Sequence, residues 1–158
     1  MTVRIQRRLW ELGITLPNAP SPSANFVPFQ RPANQNYISG QFFLTSNENG
    51  IGKVEESIPI ENGYAAARLC GLYFLAQLQV AVGGYMDQAK AIKLGGIVNA
   101  LPKFTVPPSI INGASALLID VMGQEAGSHS RFALAVASLP SGAAIEVDAI
   151  LEIANKDA

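Results

Sequence analysis

The sequence predicts an α+β sandwich, a mixed β-sheet with helices covering one face, and three observations carry that reading. The first is the stretch from Ser130 to Ile153, where two alternating runs flank a Leu139-Pro140-Ser141-Gly142 turn. Period-2 alternation of this length is a strand signal. The second is Glu61 to Val82, apolar nearly all round through Leu69, Leu72, Tyr73, Phe74 and Leu75, which predicts a deeply packed helix. The third is Pro107-Pro108, which opens a second helix running to about Met122, because proline suits the first helical turn.

The remaining elements follow in order. Ile5, Leu9 and Leu12 fall on one helical face and Arg4, Arg7 and Arg8 on another, which predicts a short amphipathic helix packed on the domain. A mitochondrial-type targeting helix is the alternative reading. Pro17 to Pro22 is a linker, so residues 1–23 form a helix plus linker and residues 24–158 the domain. Ala24 to Arg31 and Asn36 to Ser46 read as a strand pair around Pro32-Ala33-Asn34-Gln35, and Ser46 to Gly52 as a second turn. Gly83-Gly84 ends the long helix. Lys90 to Asn99 is a strand in which Gly95-Gly96 marks a bulge or a close approach. The order is β-β-α-β-α-β-β.

In the last two strands, Phe132, Leu134 and Val136 read as the core face of the first, with Arg131, Ala133, Ala135 and Ala137 opposite. Ile145, Val147, Ala149, Leu151 and Ile153 form the core face of the second, with Glu146, Asp148 and Glu152 opposite. A simple hairpin about Leu139 to Ala143 sets Arg131 opposite approximately Ile150, roughly 13 Å along the strand from Glu146. Both charges then share the non-core face, and one small molecule reaches both only if two subunits bring that face together.

Composition sets limits. A chain of 158 residues is most simply one domain, with 49% hydrophobic and only 15% charged residues. So little charge predicts a surface partly covered by self-association. A net charge of −1 gives no footprint for nucleic acid or anionic lipid. One cysteine, Cys70, and one histidine, His129, exclude a disulfide framework and Cys- or His-cluster metal sites, so no metal is expected. The arginines near the N-terminus argue against a secretion signal, and no apolar run is long enough to span a membrane. A cytoplasmic location is expected.

Arg131 leads the candidates for chemistry, because a guanidinium fork grips a carboxylate with two hydrogen bonds. Its bland alternative is a structural ion pair. Glu146 reads as a general base or water-orienting carboxylate, or else as a solvated or interface residue. Ser39-Gly40 inside a strand offers a hydroxyl, a backbone donor and room for close approach; a bulge is the alternative. Asn112-Gly113 lies early in the second helix, where a turn or capping asparagine is the alternative. His129 reads as an exposed loop imidazole, and with no Ser or Cys partner near it in sequence a hydrolase triad has no support. Cys70 reads as a buried small hydrophobe.

These residues resemble the RidA (reactive intermediate imine deaminase) family, whose members have a chorismate-mutase-like fold. The resemblance covers about Ala24 to Ile153: Asn25-Phe26-Val27, Ile38-Ser39-Gly40-Gln41, Ile111-Asn112-Gly113-Ala114, Arg131, Leu139-Pro140 and Ile145 to Ile150. His129-Ser130-Arg131 is similar to a longer branch with His-x-Arg before the penultimate strand. The resemblance implies a homotrimer with ligand clefts between subunits and no cofactor. It implies that Arg131 grips the substrate carboxylate, that Glu146 positions or activates water, and that Ser39, Gly40 and Asn112 line the cleft. Phe26 stands where the family often has Tyr, and Ala133 where it often has Cys, so both substrate-binding positions are more apolar here.

Two functions are expected from this pattern. One is hydrolytic deamination of small enamines or imines such as 2-aminoacrylate to the 2-keto acid and ammonia. The other is non-catalytic binding of keto acids or related small carboxylate metabolites by a trimer. Arg131 serves both, Glu146 favours the enzyme, and Phe26 with Ala133 favours the binder. Nucleic acid and membrane are not expected partners.

Overall fold

The computed structural model describes residues 4–44 and 50–154. Its elements run α1 (Arg4–Glu11), β1 (Phe29–Gln30), β2 (Gln35–Gln41), α2 (Ile60–Ala81), β3 (Ala89–Asn99), α3 (Pro107–Met122), α4 (Gln124–Gly127), β4 (Ser130–Val136) and β5 (Ile145–Ile153). Short 3₁₀ turns at Met86–Gln88 and Pro140–Gly142 complete the path. One five-stranded sheet has the order β1-β2-β5-β3-β4, with β3 and β4 parallel and the other pairs antiparallel. This is the chorismate-mutase-like α+β fold.

Helix α2 lies against β2 and β5, and α3 against β3 and β4, so the two helices cover one sheet face and pack on each other. Phe74, Leu75, Leu78, Ile110, Ile111, Leu117 and Leu118 meet Ile145, Val147, Leu151 and Leu94 in a sealed core. Two glycines let the layers close. A Cβ at Gly113 would stand 2.1 Å from the Tyr64 carbonyl on α2, and one at Gly96 would stand 2.5 Å from Ile111 on α3. The chain breaks lie where expected: Pro107 opens α3, and Gly83 and Gly84 end α2 at φ 59° and 87°. Helix α1 buries Ile5 and Leu9, and the Asp87 carboxylate caps it by accepting the Arg4 and Ile5 N–H groups at 2.5 and 2.8 Å.

Several expectations need correction. β4 and β5 are not a hairpin: β4 is an edge strand on β3, and β3 separates it from β5. Matching apolar stripes place two strands in one sheet but do not make them neighbours. The β3–α3–β4 order is a parallel crossover, which claims that side of β3. β5, buried at every odd-numbered position, takes the centre of the sheet. Arg131 therefore pairs with Leu94, which pairs with Ala149.

The faces of β4 are also inverted. Ala133 and Ala135 pack towards the helices, while Phe132 and Leu134 are 38% and 43% exposed on the uncovered face. Small residues on β4 admit α3 close to the sheet, so the large stripe points the other way. The first strand pair is shorter than expected, because residues 24–28 before β1 are irregular; its turn holds, with Gln35 N–H donating to Pro32 O at 3.0 Å. Most of the expected 46–52 turn lies outside the described residues. The irregularity in β3 falls between Ala91 and Lys93, so Gly95-Gly96 marks close approach.

Candidate functional site

Arg131 leaves the edge strand towards α3 and is held there by three oxygens. Nη1 donates to Asn112 Oδ1 at 2.8 Å and to Ser115 Oγ at 3.0 Å, and Nη2 donates to Pro108 O at 3.4 Å. Those positions, i, i+4 and i+7, form one stripe along about two turns of the helix. All three acceptors are neutral. Among the described residues the ion pairs are Arg8–Glu11 and Arg68–Asp120, and no carboxylate reaches Arg131. The expected alternative, a structural ion pair, is thus absent there. A cation near a helix N-terminus without a counter-charge favours an anion in front of it.

Glu146 sits on the other, uncovered face. Its carboxylate lies over the backbone of β2, where a Cβ at Gly40 would stand 2.1 Å from Oε1. Gly40 therefore makes room for Glu146 itself. Asp148, two residues along β5, lies over Gly95 in the same way, its Oδ1 2.1 Å from where a Cβ would be. Gly40, Gly95, Ile97, Phe132, Glu146 and Asp148 enclose a small cavity of about 160 Å³. Partial burial, and then the negative charge of Asp148, raise the Glu146 carboxyl above its ordinary value.

Beside it, a cleft of about 500 Å³ is lined by Phe26, Tyr37, Ser39, Asp148 and Ile150, among others. Asp148 belongs to both spaces and joins them. Phe26 is half exposed and apolar, as expected. Ser39 differs from expectation: its hydroxyl donates to Val27 O at 2.7 Å and its N–H to Pro28 O at 3.0 Å, so both donors are committed.

The candidate residues thus form two groups. Arg131 and Asn112 meet on the helix-covered face, with Ala133 beside them on β4. Glu146, Gly40, Ser39 and Phe26 gather on the open face. Within one chain Arg131 and Glu146 lie two strands and three residues apart on opposite faces, which replaces the shared face expected from the hairpin.

Asp148, Ser115 and His129 were missed as site residues. Only the position of Asp148, two after Glu146 on one strand face, was a usable signal. His129 is no free loop imidazole: Nε2 lies 2.9 Å from Ser115 Oγ and Nδ1 2.6 Å from Gly127 O. Cys70 is buried as expected, and burial pushes its thiol up to about 12, which leaves it unreactive. No helix among the described residues is long and apolar enough to cross a membrane.

A mixed sheet backed by two helices on one face, with an uncompensated guanidinium at its edge and a sheltered carboxylate on its bare face, defines a chorismate-mutase-like protein. Residues 6–152 match the family described as "YjgF/chorismate_mutase-like, putative endoribonuclease". The chain belongs to this YjgF/RidA family. It is 41% identical over 155 residues to protein TCP17 of Trypanosoma cruzi, covering 96% of each chain. A crystal structure of a protein of unknown function from Agrobacterium tumefaciens is similar at 41% identity and TM-score 0.84, over 94% of this chain and 92% of that one. Another, from Shewanella oneidensis and described as a "putative endoribonuclease", gives 29% identity and TM-score 0.88 over 94% and 99%. RidA from Psychrobacter, at 20% identity and TM-score 0.53 over 86% and 94%, shares the fold.

Proposed function

We propose that the protein hydrolyses small enamines and imines bearing a carboxylate, releasing the 2-keto acid and ammonia at a site shared between subunits of a homotrimer. One observation carries the reading: the half-buried Arg131 guanidinium is held by three neutral oxygens and meets no carboxylate among the described residues. In this reading Arg131 binds the substrate carboxylate from one subunit. Glu146 of the adjoining subunit takes a proton from water as the oxygen attacks the imine carbon. It delivers that proton to the imine nitrogen, giving the carbinolamine, and then moves the hydroxyl proton to the same nitrogen as the carbon–nitrogen bond breaks and the carbonyl forms, so one water is consumed and one ammonia leaves. No cofactor enters the balance.

The trimer is supported by the bare sheet face, where Phe132, Leu134 and Tyr37 are large, apolar and exposed. This replaces the alanine face from which self-association was expected, because Ala133 and Ala135 lie under α3. A composite site also accounts for Arg131 and Glu146 facing opposite ways in one chain.

The second reading is a trimeric keto-acid binder without turnover, favoured by Phe26 and Ala133, which bring no hydroxyl or thiol. RNA cleavage, which the family description names, finds less support. The net charge is −1, and the lone imidazole is engaged with Ser115 and Gly127. The deciding experiment generates 2-iminopropionate in situ and follows its decay with parent and Arg131→Ala protein. Faster decay with the parent only supports the deaminase; pyruvate binding without faster decay selects the binder.

A further inference from the structure

Arg131 is one end of a hydrogen-bond chain whose direction is fixed by elimination. The Gly127 carbonyl can only accept, so His129 Nδ1, 2.6 Å away, carries the proton. In the neutral ring Nε2 is then an acceptor. The Arg131 guanidinium can only donate, so Ser115 Oγ accepts from Nη1 at 3.0 Å and turns its own O–H towards His129 Nε2 at 2.9 Å. The chain therefore runs from Arg131 through Ser115 and His129 to the backbone at the end of α4. Its partners come from four places in the fold: β4, α3, the segment before β4, and α4.

We infer that Ser115 and His129 are positioning residues for the carboxylate grip of Arg131; this rests on the ligand reading of that arginine. Nη1 spends both N–H bonds on Ser115 and Asn112, and Nη2 spends one on Pro108 O. Of the five N–H bonds of a guanidinium, two remain, one on Nε and one on Nη2, matching the two oxygens of a carboxylate. Without the imidazole, the Ser115 hydroxyl is free to rotate and no longer presents a fixed lone pair to Nη1. The guanidinium is then held only by Asn112 and the longer contact to Pro108 O, and each bound carboxylate must restrain it anew. His129 touches no ligand in this account and acts only through Ser115. His-x-Arg spacing on an entering strand places both side chains on one face, so that one helix residue, Ser115, meets both.

The test uses the full chain in its native oligomer with pyruvate as the probe, by calorimetry. Ser115→Ala is expected to weaken binding about tenfold, the usual scale for one hydrogen bond to a charged group. His129→Ala is expected to weaken it several-fold, and the double variant to match Ser115→Ala alone. Ser115→Thr, which keeps the hydroxyl, restores affinity. Equal, additive losses in the double variant overturn the relay, as does unchanged affinity in both single variants while Arg131→Ala loses binding. Unchanged affinity in Arg131→Ala removes the ligand reading and the relay with it. A second measurement needs no ligand: ¹⁵N NMR of His129 is expected to show the Nδ1–H tautomer, and an Nε2–H ring overturns the proposal even if pyruvate does not bind.

Discussion

At the scale of single residues, the chemistry divides between a cation that meets no carboxylate among the described residues and a carboxylate held on a glycine floor. Arg131→Ala is expected to weaken keto-acid binding by about 2 kcal/mol or more, since charge-assisted paired contacts are among the stronger hydrogen bonds. Calorimetry on the folded variant checks this, and unchanged affinity rejects the anchor. Glu146→Gln is expected to lower kcat by about 10²- to 10⁴-fold with affinity nearly intact, because water activation acts in the transition state. Turnover and sedimentation must be measured together, since an intact trimer at parental kcat removes the catalytic role.

The pH dependence has a defined sign. Burial and Asp148 raise the Glu146 carboxyl, so the acidic limb of kcat should lie above the ordinary glutamate range. Asp148→Asn removes one of the two causes and should move that limb to lower pH; a limb that stays put denies the coupling. The same shift bears on stability. A carboxyl that holds its proton more tightly when folded contributes fully below the ordinary glutamate value, and that contribution is lost as pH rises through the raised value.

At the scale of elements, glycines set the distances between layers, and their replacements should separate by what they strike. Gly113→Ala drives a methyl group into the Tyr64 backbone, which cannot rotate away, and should destabilise by about 2–3 kcal/mol in urea unfolding. Gly40→Ala strikes only the end of the Glu146 side chain, so it should fold with little loss yet lower kcat much as Glu146→Gln does. Similar unfolding costs for the two would contradict this account.

The order and type of the elements were legible in the sequence because helix starts and stops carried proline and glycine punctuation at Pro107 and Gly83-Gly84. Strand adjacency was not legible. Alternation reports which residues share a face and is silent on which strand lies beside which, and on which face the helices choose. That is why Arg131 and Glu146 were placed on one face. The Ser115–His129 contact was illegible for another reason: the two are fourteen positions apart and meet only because α4 turns the chain back before β4. Arg131, Glu146 and Asn112 were singled out as candidates because residue type and family resemblance agreed, and for Arg131 also its isolation among alanines.

At the scale of the whole molecule, Phe132 and Leu134 leave an exposed apolar sheet face, which the proposed trimer would cover. Leu134→Glu is expected to convert the assembly to monomers in sedimentation and to abolish turnover while the chain stays folded by circular dichroism. Retained assembly would move the interface elsewhere.

The central place of β5 also governs how the chain reaches this state. Two half-sheets, β1–β2 and β3–β4, share no ladder with each other and are joined only when the strand made after all of them slides between. Every pairing that closes the sheet therefore spans a long stretch of chain, and such non-local closure makes for slow folding. Until it happens, the edges of β2 and β3 stand unpaired, the condition under which chains pair wrongly with their neighbours. Weakening the inserted strand with Val147→Ala should slow refolding more than it speeds unfolding, and stopped-flow measurement of both limbs tests that partition. The window of risk for this protein is then the interval before its last described strand is in place, when crowding by sister chains matters most.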